Sequence, residues 1–290
     1  MASSNRRRPV VLGIDASAPR SAAVLWAAAE AGLRGVPLRM VHAVLPMEVN
    51  LRGFEESDHH RRLRQRGEEA LDEASALARD HHPGLELSTH LVGEHPAPAL
   101  CRESEEAQLV VVGSRALKRW DEMLSTYSVV VPVSARSHCP VAVVRAEGPP
   151  APEGGREVVA GSDGSPDAVP AVAFALDLAA RHGASLRVVQ VWRPPWLIPV
   201  DEQSVLVELG RSLRESTAGL SADFPDVPLT HEVLRGHPVE ALSAAAGQAL
   251  AVVVGRHGEG GFTGLHLGSV AHGMIHHAPS PVITVPLPAR

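Results

Sequence analysis

The chain has 290 residues, 44% hydrophobic and 21% charged, with a formal net charge of -6, a composition ordinary for a soluble globular protein. Nucleic acid is not an expected partner, because general nucleic-acid binding neutralises phosphates with a basic surface. No apolar run approaches the roughly 18 residues that a membrane-spanning helix requires, so no membrane partner is expected either.

This length predicts about two domains, each large enough to bury a core of its own. The opening MASSNRRRPVV carries three arginines, but Asp15 interrupts the apolar stretch that follows. It lacks the core and cleavage site of a signal peptide, and a cytoplasmic location is expected. The runs VVLGI from Val10, LRMVHAV from Leu38, LELSTHLV from Leu85, LVVVG from Leu109 and PVAVV from Pro140 are continuous and β-rich. Helical stretches separate them. Ser21–Leu33 is dominated by small and apolar residues, and Arg61–His82 mixes charges at the spacing of a solvated amphipathic helix. Strands without polar alternation, separated by helices, predict a parallel sheet covered on both faces.

The same unit then recurs. VVLGIDASAPRSAAVLWAAAEAG at Val10 returns as VVAGSDGSPDAVPAVAFALDLAA at Val158, LRMVHAV as LRVVQVW at Leu186, LVVVGSR as AVVVGRH at Ala251, and HCPVAVV as PSPVITV at Pro279. The matches are collinear. Between the copies lies AEGPPAPEGGR, whose proline and glycine content suits an exposed linker. The expected domains are therefore residues 8–146 and 157–290, joined by residues 147–156. Each is predicted to be a five-stranded doubly wound α/β unit.

In such sheets ligands bind beyond the carboxyl ends of the strands, where the strand order reverses. That directs attention to Asp15 or Asp163 after the first strand of a copy, Ala43 or Val191 at the end of the second, and the loop after the fourth. In the second copy that loop is VVVGRHGEGGFTGLHLGSV, Val252 to Val270. Gly255 lets the backbone turn sharply out of its strand, and Gly258 lets a ribose or phosphate approach where a Cβ would intrude. Gly268 and Ser269 stand where a helix begins, so free N–H groups and the helix dipole face an anion there. The Ser269 hydroxyl adds a donor or a metal ligand.

The pattern G-2x-G-9x-G-S, with the wording VGRHGEGGFTGLHLGSV and HHAPSPVITVP, resembles the ATP-binding signature of the universal stress protein family. The resemblance spans both copies and implies a tandem protein with the adenine-nucleotide alpha-hydrolase-like fold. Carried over by position, it implies Asp163 near the adenosine and Val191 at the adenine. Gly255 and Gly258 would line the ribose and first phosphate, with Gly268, Ser269 and Val270 around the outer phosphates. It further implies ATP as ligand, with Mg or another divalent ion on the phosphates, and a regulatory or stress-response role. The last strands, Val141–Arg145 and Val282–Pro286, are expected to pair the two domains within the chain; association of chains into a homo-oligomer is left open.

The first copy departs from the signature. After Gly113 comes SRALKRWDEMLSTYS, with Ala116 for the second glycine, Tyr127 for the third, one residue inserted and only Ser128 retained. A tyrosine at the phosphate nest takes space the ligand needs, and Asp121 and Glu122 add negative charge, so this copy is expected to be a scaffold or regulatory domain.

Adjacent histidines at His59–His60, His81–His82 and His276–His277 point about 100° apart on a helix, whereas ligands of one metal favour i,i+4 placement. They are read as structural or solvated, and no metal ligand is assigned among them. His257 and His266 lie in the nucleotide loop, within reach of phosphate or simply at the surface. Pro96 and Pro238 suit the first position of a helix, where each could also wall a pocket. Trp192 and Trp196 are either a contact surface or a cover for the sheet edge. Cys101 and Cys139 lack metal-binding spacing and are expected to be reduced. The alternative functions are a slow ATP hydrolase or nucleotide-dependent enzyme, and a purely structural protein. A hydrolase needs a cation beside the phosphate and a group that positions water. The single lysine, Lys118, is in the first copy. Only Asp163, Arg256, His257 and a bound metal remain as candidates, and no catalytic residue is assigned.

Overall fold

A computed structural model describes residues 8–16, 21–45, 58–114, 129–145, 157–195, 200–258 and 267–288. The chain divides into two compact units, Met1–Glu147 and Gly148–Arg290. In the first, β1 (Val10–Gly13), α1 (Ser21–Arg34), β2 (Leu38–Ala43), α2 (Asp58–His81) and β3 (Leu87–Val92) are followed by α3 (Pro96–Glu103), β4 (Leu109–Ser114), α4 (Val130–Arg136) and β5 (Val141–Arg145). Its strands are parallel in the order β3-β2-β1-β4-β5. In the second, β6 (Glu157–Gly161), α5 (Val169–His182), β7 (Ser185–Trp192), α6 (Glu202–Thr217) and β8 (Leu229–Arg235) are followed by α7 (Pro238–Ala245), β9 (Ala251–Gly255), α8 (Ser269–His277) and β10 (Val282–Val285). The order is β8-β7-β6-β9-β10, again parallel. The expected fold class is the observed one.

The sequence explains the layers. Val10, Val11 and Leu12 in β1, and Val252 and Val253 in β9, are fully buried, so neither face of these strands meets water. Such strands need helices on both sides. In α1, Ala27, Ala28 and Ala31 are fully buried, and small side chains let the helix lie close on the sheet. Along α2 the buried residues are Gly67, Leu71, Ala74, Ser75 and Ala78, a single stripe at helical spacing beneath a charged outer face. Both repeats end their first helix alike: Gly35 and Gly183 adopt φ of 62° and 58°, and in each the next residue, Val36 or Ala184, donates back to Ala31 or Ala179. A left-handed residue is needed at that point, and glycine takes it without a Cβ clash.

Among the described residues no helix is long and apolar enough to cross a membrane. Cys101 and Cys139 are free thiols.

One titratable group links the second unit's packing to pH. His231 on β8 has Nε2 2.7 Å from Thr217 Oγ1 on α6, and burial, with help from the Arg214 charge, pushes its imidazole below the usual histidine range. A histidine that binds its proton less well folded than unfolded stabilises the fold above the unfolded pKa, about 6.5, and loses that contribution as pH falls through the lower folded value. Denaturant midpoints should therefore drop on going from pH 7.5 into that window, and His231→Gln should flatten the dependence; an unchanged slope in the variant would assign the effect elsewhere.

Candidate functional site

Strands β6 and β9 lie side by side, Gly161 opposite Val254, while their partners β7 and β10 lie to opposite sides. The strand order reverses between them, and the loops leaving their carboxyl ends open into one crevice.

The loop after β6 is fixed by its own side chains. Asp163 Oδ1 accepts from the Ser165 backbone N–H at 3.0 Å and from the Ser165 hydroxyl at 2.6 Å, a local turn that sets the carboxylate's direction. Gly164 adopts φ of 82°. From β7, Gln190 Nε2 donates to the Asp163 carbonyl at 3.0 Å. Gln190 is buried, and its Oε1 has no hydrogen-bond partner among the described residues.

The loop after β9 is held at its base. The Arg256 N–H donates to the Val285 carbonyl on β10, and the Gly268 N–H donates to the Arg256 carbonyl, both at 2.8 Å. Chain leaving β9 is thereby returned to the start of α8. A Cβ on Gly255 would lie 3.0 Å from the His257 carbonyl, and one on Gly268 would lie 3.1 Å from the Arg256 carbonyl, so backbone occupies the space where side chains would go. A Cβ on Gly258 would lie 2.8 Å from Asp163 Oδ2. The glycine motif and the aspartate therefore meet directly.

Gly268 is the N-cap of α8 and supplies no side-chain cap. A helix leaves its first-turn N–H groups without intrahelical partners, and here that turn borders the crevice. Asp163, Val191, Gly255, Gly258, Gly268, Ser269 and Val270 all line one cavity of about 310 Å³. Val189, Leu242, Val254 and Ala271 give it an apolar part, and Arg256 and His257 are also among its lining residues. Pro238 lines it and also occupies the first turn of α7, so both readings of that proline hold. His266 and Trp196 lie outside the described residues.

The first unit keeps the place but changes the lining. Asp15, Ala43 and Gly113 line a cavity of about 630 Å³, with Leu12, Val24, Val41 and Leu100, and no Arg or Lys is among its described lining residues. His42 stands where the second unit has Gln190, its Nδ1 2.8 Å from the Ile14 carbonyl, so the same loop is pinned by a different side chain. Ala116, Asp121, Glu122, Tyr127 and Ser128 lie outside the described residues.

Two segments of the chain, residues 6–145 and 155–286, match the family model described as Universal stress protein family. A universal stress protein of Mycobacterium tuberculosis is 33% identical over 295 residues, covering 98% of each chain. One from Mycolicibacterium smegmatis is 34% identical over 297 residues, covering 95% of this chain and 96% of the other. Among solved structures, a universal stress protein from Archaeoglobus fulgidus shares the fold with a TM-score of 0.72 at 19% identity, over 96% of both chains. The chain belongs to the universal stress protein family and carries two of its domains in tandem.

The contact of Gly258 with Asp163 generates a test. Gly258→Val should displace the Asp163 carboxylate and break its bonds to Ser165 in a crystal structure. The cost in stability should stay within about 1 kcal/mol, because the position is exposed. An unmoved Asp163 would mean that the β9 loop yields instead.

Proposed function

We propose that the second unit is an ATP-binding regulatory module and that the first is a scaffold or regulatory copy without a triphosphate site. The observation that carries this reading is the convergence of all seven signature residues on one cavity at the reversal of strand order. An apolar part suits a base, and Val191 borders it on the β7 side. Asp163, held by Ser165, would accept from ribose hydroxyls. The phosphates belong at Gly258, Gly268 and the uncapped first turn of α8, where N–H groups and the helix dipole favour negative charge. Arg256 and His257 among the lining residues add to that preference. Mg or another divalent ion on the phosphates is compatible with the Ser269 hydroxyl as an oxygen donor.

The output is a change of conformation or partner rather than turnover, and no residue of the cavity is given a catalytic role. The glycine spacing of the signature is not repeated in the first unit, where Ala116 and Tyr127 replace the second and third glycines, and this favours one ATP per chain. Within the chain, β5 and β10 each end their own unit's strand order, and strands so placed carry backbone groups that seek partners. We propose that they pair with each other. Cysteines introduced at Val143 and Ile283 should then form a disulfide under mild oxidation, and a failure at neighbouring registers as well would exclude the pairing.

Calorimetric titration of the full chain with Mg-ATP should give one site. Saturation at a hundredfold excess over the dissociation constant should add about 2.7 kcal/mol to the unit that binds. Gly268→Tyr, which copies the residue of the first unit, should weaken binding by more than a hundredfold, since each charge-assisted hydrogen bond lost is worth about 1.5–3 kcal/mol. Two equivalents bound would show that the first unit also takes ATP, and none would overturn the reading.

A further inference from the structure

Helix α8 carries three histidines, and the helical repeat pairs them differently from the way the sequence presents them. His276 and His277 are neighbours in sequence but point away from each other. His272 and His276 are one turn apart on one face, and their rings lie with centroids 4.6 Å apart, tilted by 50°. We propose that His272 and His276 form a binding site for a divalent transition-metal ion of the kind that favours imidazole, such as Ni²⁺ or Cu²⁺.

The geometry carries the proposal. Imidazole nitrogen binds such ions at about 2.0–2.1 Å, which places an ion lying in the ring planes roughly 3.2 Å from each centroid. Two centroids 4.6 Å apart then subtend roughly 90° at the ion, the angle between adjacent ligands in square-planar or octahedral coordination. A tilt of 50° is not a stack, so the two ring planes intersect and one ion can lie in both. The scaffold beneath is rigid. Ala271, Met274 and Ile275 bury the inner face of α8, and a Cβ on Gly273 would lie 2.5 Å from Val239 Cγ2, so α8 sits tightly against α7. Two ligands one turn apart on a helix fixed in this way are held in place before the ion arrives.

Among the described residues no group of three or more His, Cys, Asp or Glu is placed to hold a metal. The proposed site thus uses two ligands from the described residues, and water would complete the coordination. This differs from a closed structural zinc site, which uses four protein ligands. His272 and His276 follow Ser269 at helical spacings of three and seven residues, so the ion lies on the strip of α8 that begins at the cavity. The proposal concerns the helix alone and does not depend on nucleotide.

The test is calorimetric titration of the full, chelator-stripped chain with Ni²⁺ in the absence of nucleotide, paired with electron paramagnetic resonance of the Cu²⁺ form. His272→Ala and His276→Ala should each remove one Ni²⁺ equivalent or weaken it at least tenfold. The copper spectrum should show two coordinated nitrogens in the wild type and one fewer in either variant. His277→Ala should leave both readouts unchanged. Superimposable titrations of the double variant and the wild type would overturn the site, as would a loss in His277→Ala equal to that in His272→Ala. Circular dichroism of each variant establishes that α8 and its unit remain folded, and the copper spectrum decides the matter if background binding by other histidines masks the calorimetry.

Discussion

Strands β6 and β9 run in parallel with Gly161 opposite Val254, and what the second unit assembles around its cavity depends on that pairing. Parallel strands buried on both faces need covering helices, so the chain must leave each strand at its carboxyl end and cross over. Because β7 follows on one side and β10 on the other, the two crossovers diverge, and the crevice is the space between them. The loops that meet there come from positions about ninety residues apart in sequence. Asp163 and Gly258 meet because their strands are neighbours, and a side chain at Gly258 would have to displace the Asp163 carboxylate.

The two units show what duplication preserved. Both keep the parallel order, the left-handed glycine after the first helix and the arginine of the second strand. Arg39 pairs with Glu103 at 2.8 Å, and its counterpart Arg187 pairs with Glu157 at 2.8 Å and Glu232 at 3.3 Å. These features belong to the sheet and its edges. The crevice has changed. Gln190 and His42 hold equivalent loops by different chemistry, and the first cavity is the larger and is apolar along most of its described wall. Sequence divergence at this place altered the lining without abolishing the space.

The fold was legible because its signals are strong ones. Strands with both faces buried give unbroken apolar runs, and the glycines of the β9 loop sit at spacings that need a close backbone approach. The seven signature residues border one cavity. Other features depend on contacts that no linear pattern states. Gln190, a polar residue inside LRVVQVW, had to find a partner, but that the partner is the Asp163 carbonyl follows only from the register of β7 on β6. The His276–His277 doublet draws attention to itself in sequence, while the turn of the helix joins His276 to His272. A missing glycine in the first copy signals lost backbone approach; it carries no information about the volume left behind.

The bond from the Gly268 N–H to the Arg256 carbonyl has a consequence for how this family can vary. It fastens the two ends of the β9 loop together, so the start of α8 is tied to the base of that loop. Closing a longer loop adds only about 0.6 kcal/mol for each doubling of its length. The segment beyond Gly258 can therefore be rewritten or lengthened at little entropic cost while the start of α8 stays tied to the base of the loop. Selection can act on that segment as on a detachable part, leaving the anchor untouched.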